Sequence, residues 1–556
     1  MRHAEKKFTT AMKKITTRSF ATKYVWKEKL CLAAVLPTLL LAACDSMQKD
    51  DYEALNRQAE KEYLEPLRPG YEGRNPYWNK FAKRFLYAPA FDFQKTEGAA
   101  KYLFVLKSEE TDSAEWTFTA DEPWHALTPI WNDVTPGHVR LTVLAVSQDG
   151  TPTDTVGERK FFRDYPFHGP YPGPVVTYRE SALKAALYIH SLPFVKRFAE
   201  EIEPDLDTYP HFSCAAKVIG ALISNECIVA REMPTRRDEA LAVALGAARF
   251  LVSQSQPEGA PLAHFPPTYY KGELQEKAEH RNKTMTMEAA KAAPAFLDLY
   301  DATGDSTWLR QAVAIAETYK RLQRPDGSFP IKMDFATGEA VNDACAMLHP
   351  LLNFLQRLQD YGYDTYIPMQ RAGEEWMANV PLKDFDLEGQ FEDVTVMNLE
   401  PYQNLTNCTA APYADYLLRR QQPTAGELTC AKELIRLSED QFVHWDYPLT
   451  KDGYKKRCAP CVHEQYLYET PIDNSSCNVA GAMLSYYERT GDRLAFEKAK
   501  ALVDNLTIAQ HQNSGVIPTA LVYRPVDRDI KTQITINCCV ADVKMLLRMH
   551  ELTSKN

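Results

Sequence analysis

The residues able to do chemistry cluster in long loops, each running into a helix-like segment. Asp207-Thr208-Tyr209-Pro210-His211-Phe212 is the first such loop, and His264 to Tyr270 with Glu279-His280-Arg281-Asn282-Lys283 forms the second. Lys332, Asp334, Glu339, Asn342 and Asp343 follow. Next come Glu388-Gly389-Gln390-Phe391-Glu392-Asp393 and Glu400-Pro401-Tyr402-Gln403-Asn404. The last two loops are His463 to Glu469 and Thr535 to Cys539. Acetal hydrolysis needs one protonated and one ionised carboxyl on opposite sides of the scissile bond. Glu392 and Asp393 sit beside a turn that Gly389 permits, but adjacent extended residues point apart. The expected pair is therefore one of them with Glu464, Gln390 helping to bind substrate. The bland alternative is a carboxylate capping a helix. In an extended HEQYLYE segment Glu464, Tyr466 and Tyr468 share one face, which suits acid–base work or a buried Tyr–carboxylate bond. Elimination from a uronic acid needs a base, a group to neutralise the carboxylate and a proton donor. Tyr209, His211, Tyr269, His280, Arg281 and Asn282 would supply them, the prolines and aromatics of residues 264–270 would shape a stacking rim, and Tyr402 and Tyr468 would help to bind substrate.

These loops need a scaffold that gathers them, and a repeat supplies it. Residues 285–330 read apolar helix, Thr303-Gly304-Asp305, amphipathic helix, then Pro325-Asp326-Gly327, and residues 476–518 repeat the plan around Thr490-Gly491-Asp492. Gly suits the left-handed position past a helix end, and Asp suits the next N-cap. The pattern predicts twelve helices near 180–201, 212–230, 236–255, 284–302, 306–323, 341–361, 365–378, 407–420, 425–443, 474–489, 492–511 and 536–551. Alternate connections are short. Six hairpins with long loops on one side predict an (α/α)6 toroid over 179–556, the even helices inside. Those are rich in Ala, Cys and other small residues, while odd ones are more amphipathic. The long loops then meet at the inner N-termini, with their free N–H groups and positive dipole ends.

Upstream, KYLFVLKS, AEWTFTA, HVRLTVLAVS and ERKFFRD alternate like strands. They predict a small immunoglobulin- or fibronectin-like β-sandwich over 96–167, with Trp116, Trp124 and Trp131 in its core or packed on the next domain. Residues 168–178 read as a linker and 45–95 as a tether with a short helix. At the start, basic residues precede an apolar run, Leu30 to Ala43, too short for an ordinary membrane span. It ends in Leu41-Ala42-Ala43-Cys44, which resembles a bacterial lipobox. That resemblance implies a signal segment over 1–44, lipidation at Cys44, which becomes the first mature residue, and export to the outer membrane. The acidic stretch after it resembles a Bacteroidetes surface-export tag.

Residues 1–44 hold nine of the 64 basic and two of the 74 acidic residues, so the remainder is near −17. Such a chain is not drawn to nucleic acid by charge. The twelve cysteines form no compact disulfide framework, and Cys214, Cys345, Cys408, Cys477 and Cys538, near helix starts, read as small core residues.

The signal, β-segment and six-hairpin helical repeat together resemble the six-hairpin toroid group of carbohydrate-active enzymes, from about Lys101 to His550. The resemblance implies an oligo- or polysaccharide substrate. It leaves open a glycoside hydrolase, a polysaccharide lyase or uronate epimerase, and a non-catalytic glycan-binding lipoprotein. No cofactor is expected. One alternative comes from a looser likeness to the toroid β-L-arabinofuranosidases, which implies zinc on Glu469, Cys477, Cys538 and Cys539. The spacing departs from that family, with Glu469 and Cys477 eight apart rather than two.

Overall fold

The computed structural model describes residues 51–554 except 69–77, 79, 112–113, 389–399, 447–455, 458 and 524–533. By contacts the chain divides after Ala54, and Leu55–Asn556 is one compact unit. Residues 51–54, the described part of the first unit, are helical.

The second unit begins helical over 55–63, and among the described residues five strands come next: β1 (Arg84–Phe85), β2 (Lys101–Ser108), β3 (Glu115–Ala120), β4 (Gly137–Val146) and β5 (Pro152–Arg163). They form one sheet in the order β1-β5-β4-β2-β3, antiparallel but for the short β1–β5 pair. The strands lie where alternation placed them, but the expected two-sheet sandwich is not what they build. Four full-length strands are too few for two sheets. The buried face (Tyr102, Phe104, Leu106, Val139, Leu141, Val143, Phe161) is covered by aromatic loops instead. Phe85 and Phe91 meet the Phe161 ring at 5.3 and 5.7 Å. Trp131 is fully buried there, its indole N–H donating to the Leu86 carbonyl.

Among the described residues, twelve long helices follow. They are α1 (Tyr178–Ser191), α2 (Ala215–Glu232), α3 (Arg237–Gln254), α4 (Glu288–Thr303), α5 (Ser306–Leu322) and α6 (His349–Gln359). The rest are α7 (Ile367–Asn379), α8 (Asn407–Arg419), α9 (Ala425–Phe442), α10 (Asp473–Thr490), α11 (Arg493–Gln512) and α12 (Ile536–Ser554). The even helices close a ring, each packing on the next: α2, α4, α6, α8, α10, α12 and back to α2. The odd helices pack outside it. This is the six-hairpin toroid with its inner and outer members as expected. Small residues let the inner ring close. A Cβ on Gly220 of α2 would stand 3.1 Å from the Ala292 backbone of α4. Both repeat turns use the expected chemistry. Gly304 and Gly491 have φ of 71° and 74°, and Asp305 and Asp492 accept from Thr307 and Leu494 N–H at 2.9 and 3.0 Å.

Two helix boundaries differ from expectation by eight residues or more. The first outer helix stops at Ser191 rather than 201, because Pro193 offers no N–H and holds Leu192 extended. The sixth begins at His349 rather than 341, and Pro350 marks its first turn.

Sheet and toroid are joined through the end of α9. Asp440 Oδ1 accepts from the Leu86 and Tyr87 N–H groups at 2.6 and 2.9 Å. Arg84 pairs with Asp164 at 2.5 Å, and His444 stands 3.0 Å from the same carboxylate.

Candidate active site

A cavity of about 1260 Å³ opens where the N-terminal ends of the inner helices converge. Cavities of this size hold an extended small ligand. Every inner helix contributes to its wall.

The Pro210–Ser213 turn before α2 places His211, whose ring meets Tyr209 edge-on at 5.3 Å. From α4 come Glu288 and Lys291, an ion pair at 2.7 Å. Glu288 is 3% exposed, and its Oε2 has no hydrogen-bond partner. His349 opens α6 with its Nδ1 likewise buried and unpartnered. Burial, then the Lys291 charge, pulls its pKa down to about 3, so the ring is neutral at ordinary pH. Cys408 of α8 also faces the cavity, but burial pushes its thiol up to about 12.

Glu464 is the fourth residue of a short strand, β6 (Cys461–Gln465), which turns into β7 (Tyr468–Pro471) just ahead of α10. Its backbone carbonyl accepts from Thr406 Oγ1 and Asn407 Nδ2, both at 2.9 Å. That clamp from the start of α8 fixes the strand while the Glu464 side chain lines the cavity. Leu467 and Tyr468, at the β6–β7 tip, line its mouth. Asn474 and Asn478 of α10 and Asn537, Cys538 and Lys544 of α12 complete that side.

Behind this wall lies an acidic pair. Asp473 and Asp542 are 0% exposed and both are raised by burial, Asp473 further by the Asp542 charge, so the pair retains a proton. Cys477 Sγ donates to Asp542 Oδ1 at 3.2 Å.

The expected residues sort cleanly by position. Glu464, His211 and Tyr468 line the cavity. Gln390, Glu392 and Asp393 lie outside the described residues, as does Cys44. Tyr466 does not share a face with Glu464: β6 ends at Gln465, the chain turns, and the Tyr466 hydroxyl donates to Gln441 Oε1 at 2.6 Å. Burial raises that phenol far above its ordinary pKa. Tyr209 is not a rim residue. It is fully buried, and its hydroxyl accepts from the Ile536 N–H at 2.8 Å, capping α12.

His280 and Tyr269 are 1% and 5% exposed and stack on each other at 4.4 Å, away from the cavity lining. His280 Nδ1 accepts from Lys332 Nζ at 3.0 Å, and burial lowers that ammonium to about 8. Arg281 points to the Glu276 carbonyl, and Asn282 holds a left-handed turn with φ 54°. Tyr402 bonds through its hydroxyl to the Asp384 carbonyl at 3.1 Å, also away from the cavity lining. Glu388 sits at the edge of the undescribed 389–399 segment, its carboxyl raised to about 7 by burial and then by Asp386.

Sequence reasoning missed Glu288, Lys291 and His349. The first two fall inside the helix that periodicity predicts over 284–302, and the predicted start at 341 hides His349 within the sixth helix. Pro350 was the signal that would have exposed it. Among the described residues, no three His, Cys, Asp or Glu side chains are arranged to hold a metal ion. Of the zinc alternative, Cys538 faces the cavity, Cys477 and Cys539 are buried, and the Glu469 side chain is undescribed.

No family model matches the chain, and comparison with curated proteins gave no match. Solved structures do resemble it. A family 76 glycoside hydrolase from a bovine Bacteroides thetaiotaomicron strain is 10% identical with a TM-score of 0.45, over 82% of this chain and 93% of that one. A sugar epimerase from a ruminal bacterium is 13% identical with a TM-score of 0.44, over 61% and 87%. An unsaturated glucuronyl hydrolase specific for heparin is 11% identical with a TM-score of 0.44, over 68% and 98%.

Proposed function

We propose that this protein is a carbohydrate-active enzyme, a glycoside hydrolase whose chemistry is carried by Glu464. The observation that supports it most is the placement of Glu464. Its strand is clamped to α8, and its carboxyl lines a large cavity that also holds the buried carboxyl of Glu288. Glu464 precedes α10 and Glu288 begins α4, so the two enter from different sectors of the ring. A sugar between them would have a carboxyl on each side, as acid–base hydrolysis of an acetal requires. The inner-helix N-termini offer N–H donors to its hydroxyls.

The test is a product assay of residues 45–556 on neutral and uronic polysaccharides and their oligosaccharides, reading new reducing ends and absorbance near 235 nm together. Glu464→Gln should lower reducing-end release by about a hundredfold or more with an unchanged melting temperature. Retained rate would remove Glu464 from the mechanism. The elimination reading keeps His211 from its expected set and gains the neutral His349, a form that can accept a proton. Absorbance rising with the reducing ends would favour it over hydrolysis.

A further inference from the structure

Among the described residues, two of the three most exposed large apolar side chains are neighbours. Leu467 is 55% exposed and Tyr468 49%. Leu467 lies in the β6–β7 turn and Tyr468 opens β7 beside it, and both line the cavity. A loose loop could expose such residues by accident, but this tip is firmly held from below. The Tyr466 N–H donates to the Leu405 carbonyl at 3.1 Å and its hydroxyl to Gln441 at 2.6 Å. The Leu467 N–H donates to Asn404 Oδ1 at 3.0 Å, and Asn404 Nδ2 donates to Gln465 Oε1 at 2.6 Å. Asn404 is itself fully buried. The backbone is thus ordered while the two apolar side chains are left to water, against the hydrophobic effect.

We propose that Leu467 and Tyr468 form a rigid platform for a pyranose ring of the substrate chain lying outside the cavity. Two features on the page choose that occupant. The platform is continuous with the cavity that holds Glu464, so a chain reacting there passes over the tip. It also carries no charge of its own, so it recognises the C–H face of a sugar by area, as aromatic and aliphatic side chains do. Its preorganised backbone means that binding costs little ordering. The inference rests on the glycan reading of the cavity and extends it: the substrate is longer than the cavity alone accommodates.

The experiment is affinity electrophoresis of residues 45–556 in gels containing xylan, mannan, polygalacturonate or chondroitin, with sedimentation velocity alongside. The wild type should be retarded by at least one polymer. Leu467→Ala with Tyr468→Ala should weaken that retardation about tenfold, the scale of losing one buried apolar side chain. Tyr468→Phe alone, which keeps the ring, should keep the retardation. Both side chains are exposed, so thermal melting of the double variant should match the wild type. Equal retardation of the double variant, or none of the wild type by any polymer, would overturn the platform. So would a wild-type dimer that the double variant breaks, because the tip would then be covered by a second copy of the chain. Retardation through the tip without turnover of any glycan would refute the hydrolase and leave the platform standing. Turnover lost in Glu464→Gln, with retardation indifferent to the tip, would do the reverse.

Discussion

Glu439, near the C-terminus of α9, is the best place to test how the sheet and the toroid hold together. It is 2% exposed and accepts four donors from three parts of the chain. Tyr63 and Tyr87 hydroxyls donate at 2.8 and 2.9 Å, the Trp445 indole at 3.0 Å and the Lys498 ammonium at 2.9 Å. Lys498 is 4% exposed at its side chain, and its other carboxylate, Glu62, is 3.8 Å away. Glu439→Gln keeps the shape and one acceptor oxygen but leaves a buried ammonium poorly compensated. Removing one partner of a buried ion pair costs about 3–5 kcal/mol. Unfolding entropy of about 2.1 cal/mol/K per residue gives about 1 kcal/mol/K for roughly 500 residues, so the variant should melt about 4 °C lower. Adding Lys498→Met removes the stranded charge and should restore most of the loss, leaving about 1–2 kcal/mol for the weakened neutral bonds. Differential scanning calorimetry of the wild type, both single variants and the double variant at pH 7 closes the cycle. A single variant that melts like the wild type, or a double variant no better than Glu439→Gln, would refute the reasoning.

Two further predictions concern the same joint and the chain start. Burial pushes the Asp440 carboxyl up to about 6, so the folded protein holds a proton that the unfolded chain releases. The stability this confers is present below about pH 4 and is lost as pH rises through about 6, up to about 3 kcal/mol in all. Asp440→Asn does not titrate, so its melting temperature should improve relative to wild type between pH 4.5 and pH 7.5; parallel curves would sink the assignment. We also propose, from Leu41-Ala42-Ala43-Cys44, that Cys44 carries lipid. Alkyne-palmitate labelling in a bacterial host should mark the wild type and not Cys44→Ser, and equal labelling would be the contrary result.

The toroid was legible because helix periodicity and short turns are local, and two hairpins share one turn motif. Thr-Gly-Asp needs no distant partner to end one helix and cap the next, and small residues every few positions mark helices that must crowd. The β-segment was legible as strands but not as a sheet count, because alternation says that one face is buried and not what covers it. Here Phe91 and Trp131 cover it from loops and Phe85 from the short edge strand β1. Within the site, Glu464 and His211 were found because loops ahead of inner helices must face the cavity. Tyr466 and Tyr209 came from equally suitable loops, yet both hydroxyls turn inward to bond Gln441 and the α12 N-terminus.

What the sequence by itself determined was periodic or local: twelve helices, their inner and outer order, the turn chemistry and the loops that gather at one end. What only the tertiary structure decided was direction. A side chain in a loop can satisfy its polar atoms against a neighbour's backbone or offer them to a cavity, and residue type does not choose between these. Ring closure brings Glu288, Lys291, His349 and Glu464 to one space from segments far apart in the chain. No spacing in the sequence encodes that meeting, because it depends on how six hairpins pack around an axis.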